Sequence, residues 1–166
     1  MLDAFAFIKH LSQETDRTGI SRPRSPLALL LLNFTNQPSP DQLNRIGDII
    51  SGLTEQKGIV GLPKKFADLG VILPQIPDTH VLSYAASILK TILSLPETQD
   101  LNTSIGVGLY HKSDGRTPNT LVERALDGLT VVTKEGGNKI GLVAAKRQAI
   151  PTINGNLQET FILVRK

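Results

Sequence analysis

Apolar residues along this chain recur at two spacings, one typical of helices and one typical of strands. A spacing of three to four residues places apolar side chains on a single helical face. It predicts helices over Leu2–Thr15, Asp41–Thr54, Thr79–Leu95 and Thr117–Glu135. Short apolar runs between turn residues predict strands over Leu27–Phe34, Gly58–Leu62, Leu69–Leu73, Asn102–Tyr110 and Lys139–Ala144.

The order of these elements predicts an α+β domain. After the first helix the chain runs strand, helix, strand, strand, helix, strand, which is the βαββαβ order of the ferredoxin-like fold. The strand Leu27–Phe34 is apolar at nearly every position, which indicates burial on both faces. Ser39 followed by Pro40 is a typical helix start. We therefore expect an antiparallel sheet with helices packed on one face, an N-terminal helix and a C-terminal β extension.

The last part of the chain carries its own strand signals. Asn154–Gly155 favours a hairpin turn, and Glu159–Arg165 is rich in strand-forming residues. We assign residues 1–148 to the main domain and residues 149–166 to an extension of it, either a β-hairpin or an added edge strand. Because exposed strand edges invite pairing, this extension either mediates self-association or partner docking, or covers the domain's own sheet edge.

Composition and charge restrict the function classes. The 166 residues suit one domain, and the absence of cysteine excludes disulfides and thiolate chemistry. The net charge of +3 with only 4% aromatic residues argues against nucleic-acid binding. No apolar run is long enough for a transmembrane segment, and the N-terminus does not resemble a signal peptide. No motif of a phosphate-binding loop or a serine nucleophile is present.

Four stretches of the sequence together resemble a known family. They are LALLLLNFTN, GIVGLPKKFADLGVILPQIP, NTSIGVGLYH and LVERALDGLTVVTKEGGNKIGLV. In this order and spacing they resemble the GGDEF domain, the catalytic module of diguanylate cyclases, from about Leu2 to Val143. The resemblance implies a bacterial, cytoplasmic signalling protein whose relatives join two GTP molecules with the help of metal-bound carboxylates.

At the positions that the resemblance aligns with the family's metal ligands, this chain differs. Asn33 and Thr35 stand where the first strand of the family carries its Asp-x-Asp pattern. Counting back from Leu73–Pro74, the signature itself falls on residues 65–69, so that Lys65 and Phe66 replace the paired glycines and Asp68 replaces the metal-binding Glu. An amide oxygen carries no charge, and lysines beside the site oppose a cation. The resemblance therefore implies a degenerate active site.

Other positions retain a partial likeness. Gly47–Asp48 resemble a Gly–Asp pair of the family, so that Asp48 either reads a guanine edge or is an ordinary surface residue. Lys134 lies beside the position of a phosphate-contacting lysine. The family's inhibitory product site would fall at Gln56 and Ile59, and its motif is absent there. The vestigial nucleotide-binding set is therefore Asn33, Asp48, Lys64, Lys65, Asp68 and Lys134.

The sequence thus leads to a ranked set of hypotheses. The first is a catalytically inactive, regulatory or protein-interaction module whose partners are other signalling domains or proteins, or a second copy of itself as a homodimer. The second is a GTP sensor without cyclase activity, and the third is an active diguanylate cyclase. We expect no cofactor and no metal site, with Mg²⁺ needed only if GTP binding survives.

Overall fold

The computed structural model describes residues 1–20, 26–144 and 161–165. Its helices are α1 (Ala4–Ile20), α2 (Pro40–Leu53), α3 (Asp78–Ser94) and α4 (Asn119–Lys134). Its strands are β1 (Leu27–Phe34), β2 (Ile59–Gly61), β3 (Leu69–Pro74), β4 (Thr103–Leu109), β5 (Lys139–Ala144) and β6 (Phe161–Arg165). The predicted elements are confirmed within a few residues, except that α1 continues five residues beyond its predicted end at Thr15.

Local sequence explains where α1 and α2 begin. The Ser39 hydroxyl accepts a hydrogen bond from the Gln42 amide, and the Gln42 side chain accepts one from the Ser39 amide. This reciprocal pair, with Pro40 in the first turn, is a capping box that starts α2 as predicted. At α1, the Asp3 carboxylate accepts a hydrogen bond from the Ala6 amide at 2.8 Å. These caps satisfy backbone donors that have no partner inside the helix.

The strands form a six-stranded sheet in the order β2-β3-β1-β4-β5-β6. The pairs β2–β3, β3–β1 and β1–β4 are antiparallel, which is the strand arrangement of the predicted ferredoxin-like unit. Beyond that unit, β5 and β6 are added in parallel to β4 and to each other. The α+β class is confirmed, and the complete sheet is mixed.

Helices cover both faces of the sheet, so the expectation of helices on one face holds only for the two helices of the ferredoxin-like unit. In β1, Leu30 and Leu32 belong to a core with residues of α2 and α3. Leu29 and Leu31 belong to a second core with residues of α1 and α4. Because alternate side chains of a strand point to opposite faces, a strand that is apolar at nearly every position requires cover on both sides.

The helix α4 approaches the sheet at backbone contact. A Cβ atom added to Gly128 would lie 2.3 Å from the carbonyl oxygen of Gly141, and one added to Gly106 would lie 2.0 Å from the carbonyl oxygen of Ala125. Any side chain at these positions would therefore displace backbone. Glycine is required here for close approach, independently of backbone dihedral angles.

The C-terminal extension contributes β6, the outermost strand beside β5. The predicted turn at Asn154–Gly155 and the predicted boundary between residues 148 and 149 lie outside the described residues. In the part of the chain that the structure describes, no helix has the length and apolar character needed to cross a membrane.

Candidate functional site at the end of the first strand

Asn33 and Asp68 meet where β1 ends and β3 begins. The Asp68 amide donates to the Asn33 Oδ1 atom at 3.0 Å and to the Leu32 carbonyl oxygen at 3.0 Å. In return, the Asp68 Oδ2 atom accepts a hydrogen bond from the Phe34 amide at 2.9 Å. The structure thus brings two of the predicted site residues together, as neighbours that are hydrogen-bonded across adjacent strands.

This exchange of hydrogen bonds ties the hairpin to β1. Leu32 pairs with Leu69 at the end of the β1–β3 ladder, so the contacts of Asp68 extend the ladder by one residue. Asn33 and Asp68 are both only partly buried. A carboxylate oxygen that accepts a backbone hydrogen bond is held in one orientation. The side chains at both positions therefore serve the local connection between the strands.

The tip of the β2–β3 hairpin presents two exposed lysines. Lys64 has a φ of +47°, in the left-handed region, and the Lys65 amide donates to the Pro63 carbonyl oxygen at 2.6 Å. Phe66 packs against the core on the α1 and α4 face, where Ala67 is buried. The aromatic ring thus anchors the tip from one side, while the lysines carry positive charge into solvent beside Asp68.

Asp48 lies away from this contact, on an exposed position of α2. It lines a cavity of about 400 Å³ between α2 and β2, together with Asn44 and Ser51 from the same helix. The remaining lining residues are Met1, Leu2, Gly47, Ile59 and Val60. None of the described residues that line this cavity belongs to the Asn33–Asp68 pair or to the lysines of the hairpin tip.

Sequence reasoning missed Asn44 and Ser51 as neighbours of Asp48. Asn44 lies four residues before Asp48, one helical turn away, and this spacing was the available signal. A second cavity of about 540 Å³ adjoins, lined by Met1, Gln37, Pro38, Pro40, Leu43, Asn44 and Leu62. Asn44 and Met1 line both cavities, so the two cavities adjoin along this side of α2.

Lys134 lies exposed at the C-terminal end of α4. The turn after it belongs to a network of amides that was not predicted. Asn138 accepts a hydrogen bond from the Thr103 amide at 2.9 Å and donates one to Asn102 Oδ1 at 2.9 Å. The Asn102 amide in turn donates to the Thr35 hydroxyl at 3.1 Å. Uncharged groups thus connect β1, β4 and the α4–β5 turn at this edge of the sheet.

The residues at this edge of the sheet carry little negative charge. In the described part of the chain, no group of three or more His, Asp or Glu residues could hold a metal ion. Asp68 brings one carboxylate to the β1–β3 contact, and Asn33 brings an uncharged amide oxygen. A divalent cation is normally held by several hard anionic oxygens. The residues present therefore fit a metal-dependent phosphoryl site poorly.

Comparison with known proteins identifies the fold. No protein-family model matches the sequence, and no curated protein matches it significantly in sequence. Solved structures do match. The active GGEEF domain of a diguanylate cyclase from Vibrio cholerae superimposes with a TM-score of 0.68 at 14% identity, over 89% of this chain and 99% of that one.

Two proteins of Pseudomonas aeruginosa give the same result. The FimX GGDEF domain has a TM-score of 0.68 at 14% identity, over 83% of this chain and 92% of that one. The diguanylate cyclase SiaD, solved with its activator SiaC, has a TM-score of 0.64 at 17% identity, over 84% of this chain and 58% of that one. Likeness at this level of identity establishes fold, and this chain therefore has the GGDEF-like fold that its sequence motifs predicted.

Proposed function

We propose that this chain is a catalytically inactive GGDEF-like domain that acts as a regulatory or protein-interaction module in bacterial signalling. The observation that carries the proposal is the hydrogen bonding where β1 meets β3: Asn33 Oδ1 accepts from the Asp68 amide, and Asp68 Oδ2 accepts from the Phe34 amide. Joining nucleotides by attack on an α-phosphate requires a cation that neutralises developing charge, and the cation in turn requires carboxylates. Here one carboxylate remains, and one of its oxygens accepts a backbone hydrogen bond.

The hairpin tip supports the same proposal. Paired glycines would allow a nucleotide to approach the backbone, but Lys65 and Phe66 occupy these positions. Phe66 is partly buried and packs against the core that contains Ala67, so making room for a ligand would remove apolar contacts that hold the tip. Two lysines beside Asp68 also raise the electrostatic cost of a divalent cation.

A role in protein interaction is consistent with the relatives in structure. The diguanylate cyclase SiaD was solved in complex with its activator SiaC, so in that case a protein that contains a domain of this fold has a protein partner. We propose that this chain likewise works with other signalling domains or proteins, in the bacterial cytoplasm. The partner would recognise a surface of the retained scaffold, because fold alone does not carry chemistry.

Incubation with GTP and either Mg²⁺ or Mn²⁺, followed by chromatography of the products, tests the loss of catalysis. We expect no cyclic dinucleotide, whereas the Vibrio cholerae GGEEF domain assayed in parallel serves as the positive control. The variant Asp68→Asn is the matched negative control. Product made by the natural chain and abolished in Asp68→Asn would overturn the proposal and favour an active diguanylate cyclase.

A GTP sensor without cyclase activity is the second candidate function. The cavity of about 400 Å³ beside α2 favours it, because Asn44, Asp48 and Ser51 place an amide, a carboxylate and a hydroxyl along one wall. These groups can donate and accept hydrogen bonds along the edge of a base. Mg²⁺ would enter only with the phosphates of the bound nucleotide.

Thermal-shift measurements with GTP, GDP, ATP and cyclic di-GMP, with and without Mg²⁺, test the sensor. A ligand at a hundred times its Kd adds about 2.7 kcal/mol to the free energy of unfolding. Binding to this cavity predicts that Asp48→Ala weakens the shift. Asp41→Ala, at an exposed position of the same helix, should leave it unchanged. Equal shifts in both variants would rule out the cavity as the site.

A further inference from the structure

The first residues of the chain run along the β2 edge of the sheet and form a short parallel bridge with it. The Leu2 amide donates to the Val60 carbonyl oxygen at 3.0 Å, and the Leu62 amide donates to the Leu2 carbonyl oxygen at 2.9 Å. One residue later, the Asp3 carboxylate caps α1. Residues 2 and 3 are therefore held by hydrogen bonds, and they fix the position from which the Met1 side chain projects.

From this position the Met1 side chain lies across Gly47 in α2. A Cβ atom added to Gly47 would lie 3.0 Å from the Met1 Sδ atom and 3.7 Å from the Val60 Cγ1 atom. Gly47 is buried, whereas Met1 is 51% exposed. An unbranched thioether adapts readily to an irregular surface. The missing side chain at position 47 therefore provides the space in which Met1 packs, between α2 and β2.

Met1 lies where the two cavities along α2 adjoin. It lines the cavity of about 540 Å³ near the start of α2 and the cavity of about 400 Å³ that contains Asp48 and Ser51. Among the described lining residues, Asn44 is the other one that borders both cavities. Asn44 belongs to a helix that is packed against the core, whereas the Met1 side chain can rotate without breaking the hydrogen bonds of Leu2. Met1 is therefore the shared wall residue whose movement disturbs the fold least.

We propose that Met1 is the gate of the cavity beside α2, so that a ligand bound along Asn44, Asp48 and Ser51 must displace the methionine side chain. This regulation rests on the second candidate function, the GTP sensor, because it controls the site of that sensor. Displacing a half-buried methionine returns apolar surface to water. The closed position therefore lowers the apparent affinity of the natural chain for any ligand of this cavity.

The position of the gate can be tested without a ligand. The chain contains a single methionine, so labelling its methyl group with ¹³C gives one NMR signal that reports on Met1. We expect a nuclear Overhauser effect between this methyl group and the α protons of Gly47, because the Met1 Cε atom lies 3.9 Å from an added Cβ atom. A methyl signal at the position of free methionine in the natural chain, without this effect, would overturn the proposal.

A pair of glycine variants in α2 sharpens the NMR test. Gly47→Ala places a methyl group against the Met1 sulfur atom, so we expect it to push the side chain out and to move the methyl signal toward that of free methionine. Gly52→Ala is the matched control, because nothing lies within 4 Å of its added atom, and it should leave the signal unchanged. The same signal in both variants would contradict the packing of Met1 on Gly47.

The gating is tested by titration calorimetry with GTP and Mg²⁺. All chains are released from a cleavable N-terminal fusion, so that residue 1 can be replaced. Met1→Ala should lower the Kd for GTP about three- to tenfold, as expected for a side chain that is half-buried when the gate is closed. Phe5→Ala removes an apolar side chain of α1 that is 80% exposed, and it should bind GTP like the natural chain.

The outcomes separate the gate from the sensor. Equal Kd values for the natural chain and Met1→Ala would overturn the gating and leave the sensor in place. A gain in affinity in Phe5→Ala equal to that in Met1→Ala would also overturn the gating, because it would show a general effect of removing N-terminal apolar surface. No binding of GTP by any of the three chains would refute the sensor, and the gating with it.

Discussion

The contact of α4 with the sheet and the tip of the β2–β3 hairpin are held by different kinds of interaction. Under α4, Gly128 and Gly141 bring backbone against backbone, and the Arg124 guanidinium forms a buried bidentate ion pair with Asp114 at 2.7 Å. At the hairpin tip, two partly buried polar side chains and one phenylalanine ring hold an exposed loop. We expect substitutions to lower stability strongly in the first region and to be better tolerated in the second.

This difference is one way in which a GGDEF-like fold can keep its core while the residues of the hairpin tip vary. The α4 contact depends on the absence of side chains and on a desolvated charge pair, so most substitutions there would disturb the core. The hairpin tip depends on hydrogen bonds that several residue types can make. The contacts that we expect to dominate stability therefore lie under α4, and the candidate functional residues lie at the hairpin tip. Substitutions in each region can test this separation.

The largest effect is expected from closing the space between α4 and β5. Gly128→Ala places a methyl group 2.3 Å from the Gly141 carbonyl oxygen, so the helix must move. We expect a loss of at least about 3 kcal/mol in the free energy of unfolding, measured by urea denaturation. The control is Gly52→Ala in α2, where nothing lies within 4 Å of the added atom. That variant should be neutral or gain up to about 1 kcal/mol.

Breaking the buried ion pair should come next. Arg124→Met leaves the Asp114 carboxylate buried without its ion-pair partner. It also removes the hydrogen bond that Arg124 donates to the Leu109 carbonyl oxygen. We expect a loss of about 3–5 kcal/mol at neutral pH, comparable with the glycine variant, because an uncompensated buried charge is costly. Arg116→Met breaks the exposed pair with Asp16 and should cost less than about 1 kcal/mol. Similar losses in both variants would contradict the assignment of the buried pair.

A smaller effect is expected where Asp68 links the hairpin to β1. Asp68→Ala removes the acceptor of the Phe34 amide, and we expect a loss of about 1–2 kcal/mol. Hydrogen exchange at the Phe34 amide should accelerate in this variant. Asp68→Asn retains an acceptor oxygen and should preserve most of the protection. If Asp68→Ala left the exchange rate of Phe34 unchanged, the structural role of the carboxylate would be refuted.

The smallest effect is expected from the lysines of the hairpin tip. Lys65 is exposed, so Lys65→Ala should change the free energy of unfolding by less than about 0.5 kcal/mol, measured by thermal denaturation. This near-neutrality makes the variant a clean probe of ligand binding. Any weakening of nucleotide binding in Lys65→Ala could then be assigned to a lost contact, whereas a large loss of stability would show that the tip is more rigidly built than its contacts indicate.

For the candidate site, the sequence could predict which residues lie near each other but not how they are hydrogen-bonded. The meeting of Asn33 and Asp68 could be anticipated from their places at adjoining ends of two strands. The hydrogen bonds at this contact, from the Asp68 amide to Asn33 and from the Phe34 amide to Asp68, could not be anticipated, because they depend on the exact register of β1 and β3. Asp48 shared a helix face with Asn44, but its separation from the Asn33–Asp68 pair follows from how α2 packs against β2.

The sequence by itself determined the elements, their order and the ferredoxin-like unit, because periodicity and capping residues act locally. Tertiary structure decided how the rest was arranged. The second layer of helices follows from the need to cover both faces of β1, and the parallel placement of β5 beside β4 follows from α4 crossing that second face. Whether a side chain such as Asp68 faces a cation or a backbone amide is likewise a matter of distances between strands, which no local pattern in the sequence records.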